Sequence, residues 1–118
     1  MNRVKIDLME RGTRTRRLAV NSPLKQGVSE TVKYYVDFTL WGASSSLPVS
    51  SPVIKILDQD DVDKTSVIYS AADVAVVSSV EVEFTLSAMV LKNRYRVFVK
   101  GTINSLIGEC WCTIDGEL

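Results

Sequence analysis

The sequence predicts an all-β protein, an antiparallel sandwich or barrel, and three observations carry that expectation. Apolar and polar residues alternate with a period of two in several segments. Those segments recur at intervals of roughly ten residues, separated by stretches rich in Ser, Pro, Asp and Gly. No segment of helix length carries a 3.6-residue apolar period.

The elements follow in chain order. Residues 1–25 hold Arg3, Lys5, Arg11, Arg14, Arg16, Arg17 and Lys25 against Asp7 and Glu10. They read as a basic N-terminal arm ahead of a folded body over 26–118, with "RGTRTRRLAV" ending in a first strand near Leu18 to Val20. In "VKYYVDFTLW", Val32, Tyr34, Val36, Phe38 and Leu40 share one face, and Lys33, Tyr35, Asp37, Thr39 and Trp41 the other. "VIKIL" (53–57) and "TSVIYS" (65–70) read as shorter β-branched strands, bounded by "SSSLPVSSP" and "DQDDVDK", which are turn chemistry. "SAADVAV" reads as a short helical turn. "SVEVEFTLS" sets Val80, Val82, Phe84 and Leu86 against Glu81, Glu83 and Thr85, and "YRVFVKGTINSLIGECWCTI" reads as two strands around a turn.

At 118 residues the chain fits one domain able to bury a core without disulfides or metal. Its 14 basic and 14 acidic residues cancel, yet the arm is basic and the body correspondingly acidic. No apolar run reaches the roughly 18 residues of a membrane span, and no signal-peptide pattern opens the chain. The expectation is a protein made in the cytosol, away from membranes, with Cys110 and Cys112 as free thiols.

Candidate chemistry is sparse. Cys110 and Cys112 offer two thiolates, but a structural zinc site takes four ligands, and the sequence has no histidine and no third cysteine. Residues i and i+2 of a strand point to one face, so the two thiols read as small core residues. Asp58, Asp60, Asp61 and Asp63 have a spacing that hard cations favour, but lack the glycine and closing glutamate of an EF-hand loop; a solvated turn is expected. The sequence lacks the histidine, nucleophile-elbow, P-loop and dinucleotide motifs, and Glu81 and Glu83 alternate with core residues on a strand. No enzyme, cofactor or metal is expected. The basic arm suits phosphates, but residues 1–31 hold no aromatic ring to stack on bases, so an acidic protein neighbour is preferred to nucleic acid.

One constellation narrows the fold. "LKNRYRVFVKGTINSLIGECWCTI" sets Leu91, Tyr95, Val97 and Val99 in the pattern of a tyrosine-corner strand. Together with "YYVDFTLW", a Ser/Pro loop and "VEVEFTLS", residues 30–115 resemble the small immunoglobulin-like structural proteins of tailed bacteriophages, notably the fibre-tail adaptor type. "SAMVLKNR" stands where such adaptors carry a glycine-rich turn, which leaves another neck, tail or capsid-surface protein open. The resemblance implies an immunoglobulin-like sandwich in the virion, made in the host cytoplasm, that binds copies of itself as a homo-oligomer and neighbouring virion proteins. The alternatives are a capsid decoration protein, a nucleic-acid-binding accessory protein using the arm, and a cell-surface adhesion module. In the immunoglobulin arrangement the strands of Tyr35, Phe98 and Trp111 share a sheet, so their rings emerge together as an interface. Arg14, Arg16 and Arg17 join it as candidates, with Arg16 and Arg17 over the rings in cation–π contact.

Overall fold

The computed structural model describes residues 3–6, 17–18, 23–69 and 73–118, with only the backbone at 17 and 18. Alternation becomes pairing where expected. Strands β1 (Arg3–Lys5), β2 (Arg17–Leu18), β3 (Leu24–Gly27), β4 (Val32–Asp37) and β5 (Ser50–Leu57) are followed by a helical turn, α1 (Thr65–Ile68). Then come β6 (Ala75–Val77), β7 (Glu81–Leu86), β8 (Arg94–Ile103) and β9 (Leu106–Glu117). One sheet has the order β1-β4-β7-β6; the other runs β2-β9-β8-β5, with β3 also on β9.

The all-β class holds, with one correction to its antiparallel character. β1 pairs parallel with β4, and β2 and β3 pair parallel with β9, so both sheets are mixed. Most of the described residues of 1–25 are therefore in strands of the two sheets. Ile6, next to β1, is 1% exposed in the core and donates its N–H to the Tyr35 carbonyl at 2.9 Å. Of the expected strand at Leu18 to Val20, only Leu18 lies within the described residues, in β2.

The two sheets enclose one core. Tyr34 and Val36 of β4 and Val82, Phe84 and Leu86 of β7 meet Ile54 and Ile56 of β5, Tyr95, Val97 and Val99 of β8, and Cys110, Cys112 and Ile114 of β9. β7 and the β8–β9 hairpin follow the sequence pattern residue by residue. The hairpin turns on Asn104 (φ 47) and Ser105 (φ 69), two successive positive-φ residues whose twist matches that of the paired strands.

Three segments differ from expectation. Phe38–Trp41 is a 3-10 turn instead of the end of a strand, and Trp41 is core instead of outward-facing. Asp37 stops the strand by accepting the Thr39 N–H at 2.9 Å, and Gly42 ends the turn at φ 94. The indole then lies over Gly108, where a Cβ would come within 2.6 Å of the ring. Thr65–Ile68 is helical although three of its four residues are β-branched. Asp63 accepts the Thr65 N–H at 2.9 Å, and the Thr65 hydroxyl accepts the Ile56 N–H at 2.9 Å, so specific ties override strand propensity. The helical turn expected in "SAADVAV" falls partly on 70–72, outside the described residues, and Ala75–Val77 is a strand.

β5 is longer than its apolar run. It starts at Ser50 and carries a bulge before Val53, with Ser51 at φ 49 and Pro52 beside it. As the outer strand of its sheet it is closed off further along by Lys64, whose N–H reaches the Ile56 carbonyl at 2.8 Å.

Candidate functional site

The residues singled out for an interface do not all meet. β4 pairs with β7, which puts Tyr35 on the outer face of the four-stranded sheet, whereas Phe98 and Trp111 lie on the outer face of the other. A three-ring patch is thus corrected to a pair. After Trp41 the chain crosses between sheets, and it is β5, not β4, that pairs with β8. Phe98 and Trp111 are in register on β8 and β9, with ring centroids 6.2 Å apart and planes 22° from parallel. Arg14 and Arg16 lie outside the described residues, and so does the Arg17 side chain. The Arg17 backbone pairs with Cys110 and that of Leu18 with Trp111, which brings this segment to the edge of the aromatic face.

Around the rings the face is a mosaic. Val53, Lys55 and Leu57 from β5, Arg96, Phe98 and Lys100 from β8 and Glu109 from β9 line a shallow depression of about 400 Å³. Val53 is 50% exposed. Arg96 is paired with Asp61, Lys100 with Glu109 at 3.9 Å and Arg94 with Asp115 at 2.6 Å. The Arg94 guanidinium holds the Asp115 carboxyl below the usual range.

Tyr35 has a different setting. The Arg3 guanidinium sits 4.1 Å from its ring centroid and binds Glu81 at 2.6 Å and Glu83 at 3.1 Å, while Lys33 reaches Glu83 at 3.4 Å. The hydrogen bond to Glu81 is the first cause that raises the Arg3 pKa. Glu81 and Glu83 do face outward from the sheet, and here they anchor a strand from the N-terminal segment.

The aspartate turn is held by its own backbone. Asp58 accepts the N–H groups of Asp60 at 2.9 Å and Val62 at 3.0 Å, and Asp63 is occupied by Thr65. Among the described residues no three His, Cys, Asp or Glu side chains gather as metal ligands. Cys110 and Cys112 are free, fully buried thiols facing the core. Burial pushes both up, Cys112 to about 12, so neither is a ready nucleophile.

The chain matches no family model, no curated protein and no solved structure. Among the described residues no helix is long and apolar enough to cross a membrane.

Sequence reasoning missed Gln26. It is 1% exposed and accepts the Tyr34 hydroxyl at 2.9 Å, while its amide donates to the carbonyls of Leu86 at 2.9 Å and Glu30 at 3.0 Å. It ties β3 of one sheet to β4 and β7 of the other. The only local signal was a strand-like "LKQG" with a glutamine where a core residue belongs.

Proposed function

We propose that this chain is a small structural component of a tailed-bacteriophage virion, an immunoglobulin-like sandwich that works by protein–protein binding at the tail or neck. Binding to copies of itself and to neighbouring virion proteins is the mechanism, without catalysis. One observation supports the reading: most of the segments behind the resemblance fall on β4, β7 and the β8–β9 hairpin, and, with β2 and β3 set aside, the orders β1-β4-β7-β6 and β9-β8-β5 parallel those of an immunoglobulin-like domain. There, one sheet holds the first, second, fifth and fourth strands and the other the third, sixth and seventh. Tyr95 supports it further, buried at the start of β8 with its hydroxyl accepting the Val90 N–H at 3.0 Å across the corner from β7. The parallel pairings of β1 with β4 and of β2 and β3 with β9 are departures from that arrangement. The Phe98–Trp111 face is the assembly surface in this reading.

The test is to purify particles made from the genome that encodes the chain and to compare wild type with Trp111→Ser. The wild-type protein is expected in the particles by mass spectrometry. The variant should fold with a nearly unchanged melting temperature and be absent from them. A protein missing from intact infectious particles overturns the proposal.

A further inference from the structure

We propose that the outer face of the five-stranded sheet, from the depression between β5 and β8 to the Asp60–Asp63 turn, is a self-complementary surface that pairs two copies of this chain about a twofold axis. The inference rests on reading this face as an assembly surface, and it names the partner and the geometry. Its basis is how charge and apolar area are laid out. Lys55, Arg96 and Lys100 lie along the depression with Glu109 beside Lys100, which leaves it net basic. Beyond the Leu57 end of β5 comes the turn carrying Asp60, Asp61 and Asp63. Asp61 reaches back over the sheet to Arg96 yet its side chain stays 75% exposed, which leaves it able to accept a further donor. Exposed apolar area accompanies both halves: Val53 among the lysines and Val62 within the aspartates, at 50% and 48% exposure.

That layout selects among partners. A nucleic acid would gain contacts at Lys55, Arg96 and Lys100 but, running on along the face, would meet Asp60, Asp61 and Asp63 of the turn, a penalty for an extended polyanion. A uniformly acidic or basic protein surface meets the same conflict in one half or the other. A surface whose net charge changes sign along one direction, basic along the depression and acidic at the turn, is instead complementary to its own copy turned end for end. An axis along the strands would put lysine over lysine and aspartate over aspartate. An axis across the strands brings the turn of one copy to the lysines of the other, with Leu57 and the two exposed valines in between.

The alternative of joining copies edge to edge is blocked at β5 by Pro52, the bulge and the Lys64 bond. Three strands about 4.8 Å apart and eight residues long cover roughly 400 Å² per copy, below the standard specific interface, so a weak, transient dimer populated at high micromolar concentration is expected.

Sedimentation velocity on the full chain across micromolar concentrations provides the test, with Lys100→Glu and Asp60→Lys as variants. Both sites are on the surface, and Asp60→Lys leaves the Asp58 cap and the Asp61–Arg96 pair in place. Wild type should form dimers that weaken with added salt, each variant should dissociate about tenfold more readily, and the double variant should regain affinity as opposite charges meet again. A wild-type chain that stays monomeric throughout, or a double variant no tighter than the singles, overturns the proposal. So does a monomeric chain that binds a labelled single-stranded oligonucleotide through Lys100. A monomer whose Trp111→Ser variant is still excluded from particles defeats the dimer and leaves the virion reading standing. A dimer found nowhere in particles does the reverse.

Discussion

The two outer faces come from the same alternating pattern and end in opposite states. On the four-stranded sheet, Arg3 arrives from a distant part of the chain, lies over Tyr35 and ties Glu81 to Glu83, so the face closes on itself. On the five-stranded sheet, Arg96 pairs with Asp61 and Lys100 with Glu109, while Val53 stays half exposed beside Lys55 and Lys100. Alternation therefore decides which residues leave the core. Whether the face they form is finished depends on which strand is laid at its edge, and that is a long-range matter.

If the faces differ only on the outside, the layers beneath them should be equally demanding. Phe84→Ala, under the closed face, and Ile56→Ala, under the open one, are each expected to cost about 2–5 kcal/mol in urea unfolding, because both side chains are fully buried. A cost below about 1 kcal/mol at either position would mean that one sheet does not share the core, and the comparison of faces would lose its footing.

The next test separates the layers by titration. Cys112→Ser buries a hydroxyl in place of a thiol and should cost about 1–3 kcal/mol. Burial raises both thiols in the fold, Cys112 from 9.0 to about 12. Their contribution is thus whole below the unfolded thiol pKa near 9 and is lost as pH climbs toward about 12. Wild type should lose stability steadily across that window, and Cys112→Ser should show a shallower slope. Equal slopes would place the thiol in contact with solvent.

The smallest expected effect bears on the closed face itself. Arg3→Ala removes a surface clamp and leaves Glu81 near Glu83 without it, so the melting temperature should fall slightly at low salt and the loss should fade as salt is added. Lys55→Ala on the open face should leave the melting temperature unchanged. If the two substitutions behave alike, the contrast between the faces has no energetic content.

Much of this was legible in sequence. β7, the β8–β9 hairpin and the core role of both cysteines follow from period two alone, since every side chain of those strands takes its face from its neighbours. Trp41 lies on the side opposite to the one alternation gives it, because the Asp37 side chain ends the strand before the period reaches the indole. "TSVIYS" misled because its β-branched residues favour a strand, while the decisive bonds of Thr65 run to Asp63 and Ile56. The site was half legible. Phe98 and Trp111 belong to one hairpin, so their proximity is local; Tyr35 depends on which sheet β4 joins, and nothing within "VKYYVDFTLW" encodes that choice. The parallel pairing of β1 and the bonds of Gln26 likewise join residues far apart in the chain.

The closed margin of β5 has a consequence for how the protein behaves at high local concentration. An unguarded outer strand is a template on which further chains add one after another, and a product built that way has no natural end. Here the proline, the bulge and the Lys64 bond occupy that margin, and at the opposite limit of the other sheet β6 offers only three residues. Growth by strand addition is therefore poorly supported at β5 and β6, and crowding the protein with its own kind does not readily extend either of these two margins into a fibril.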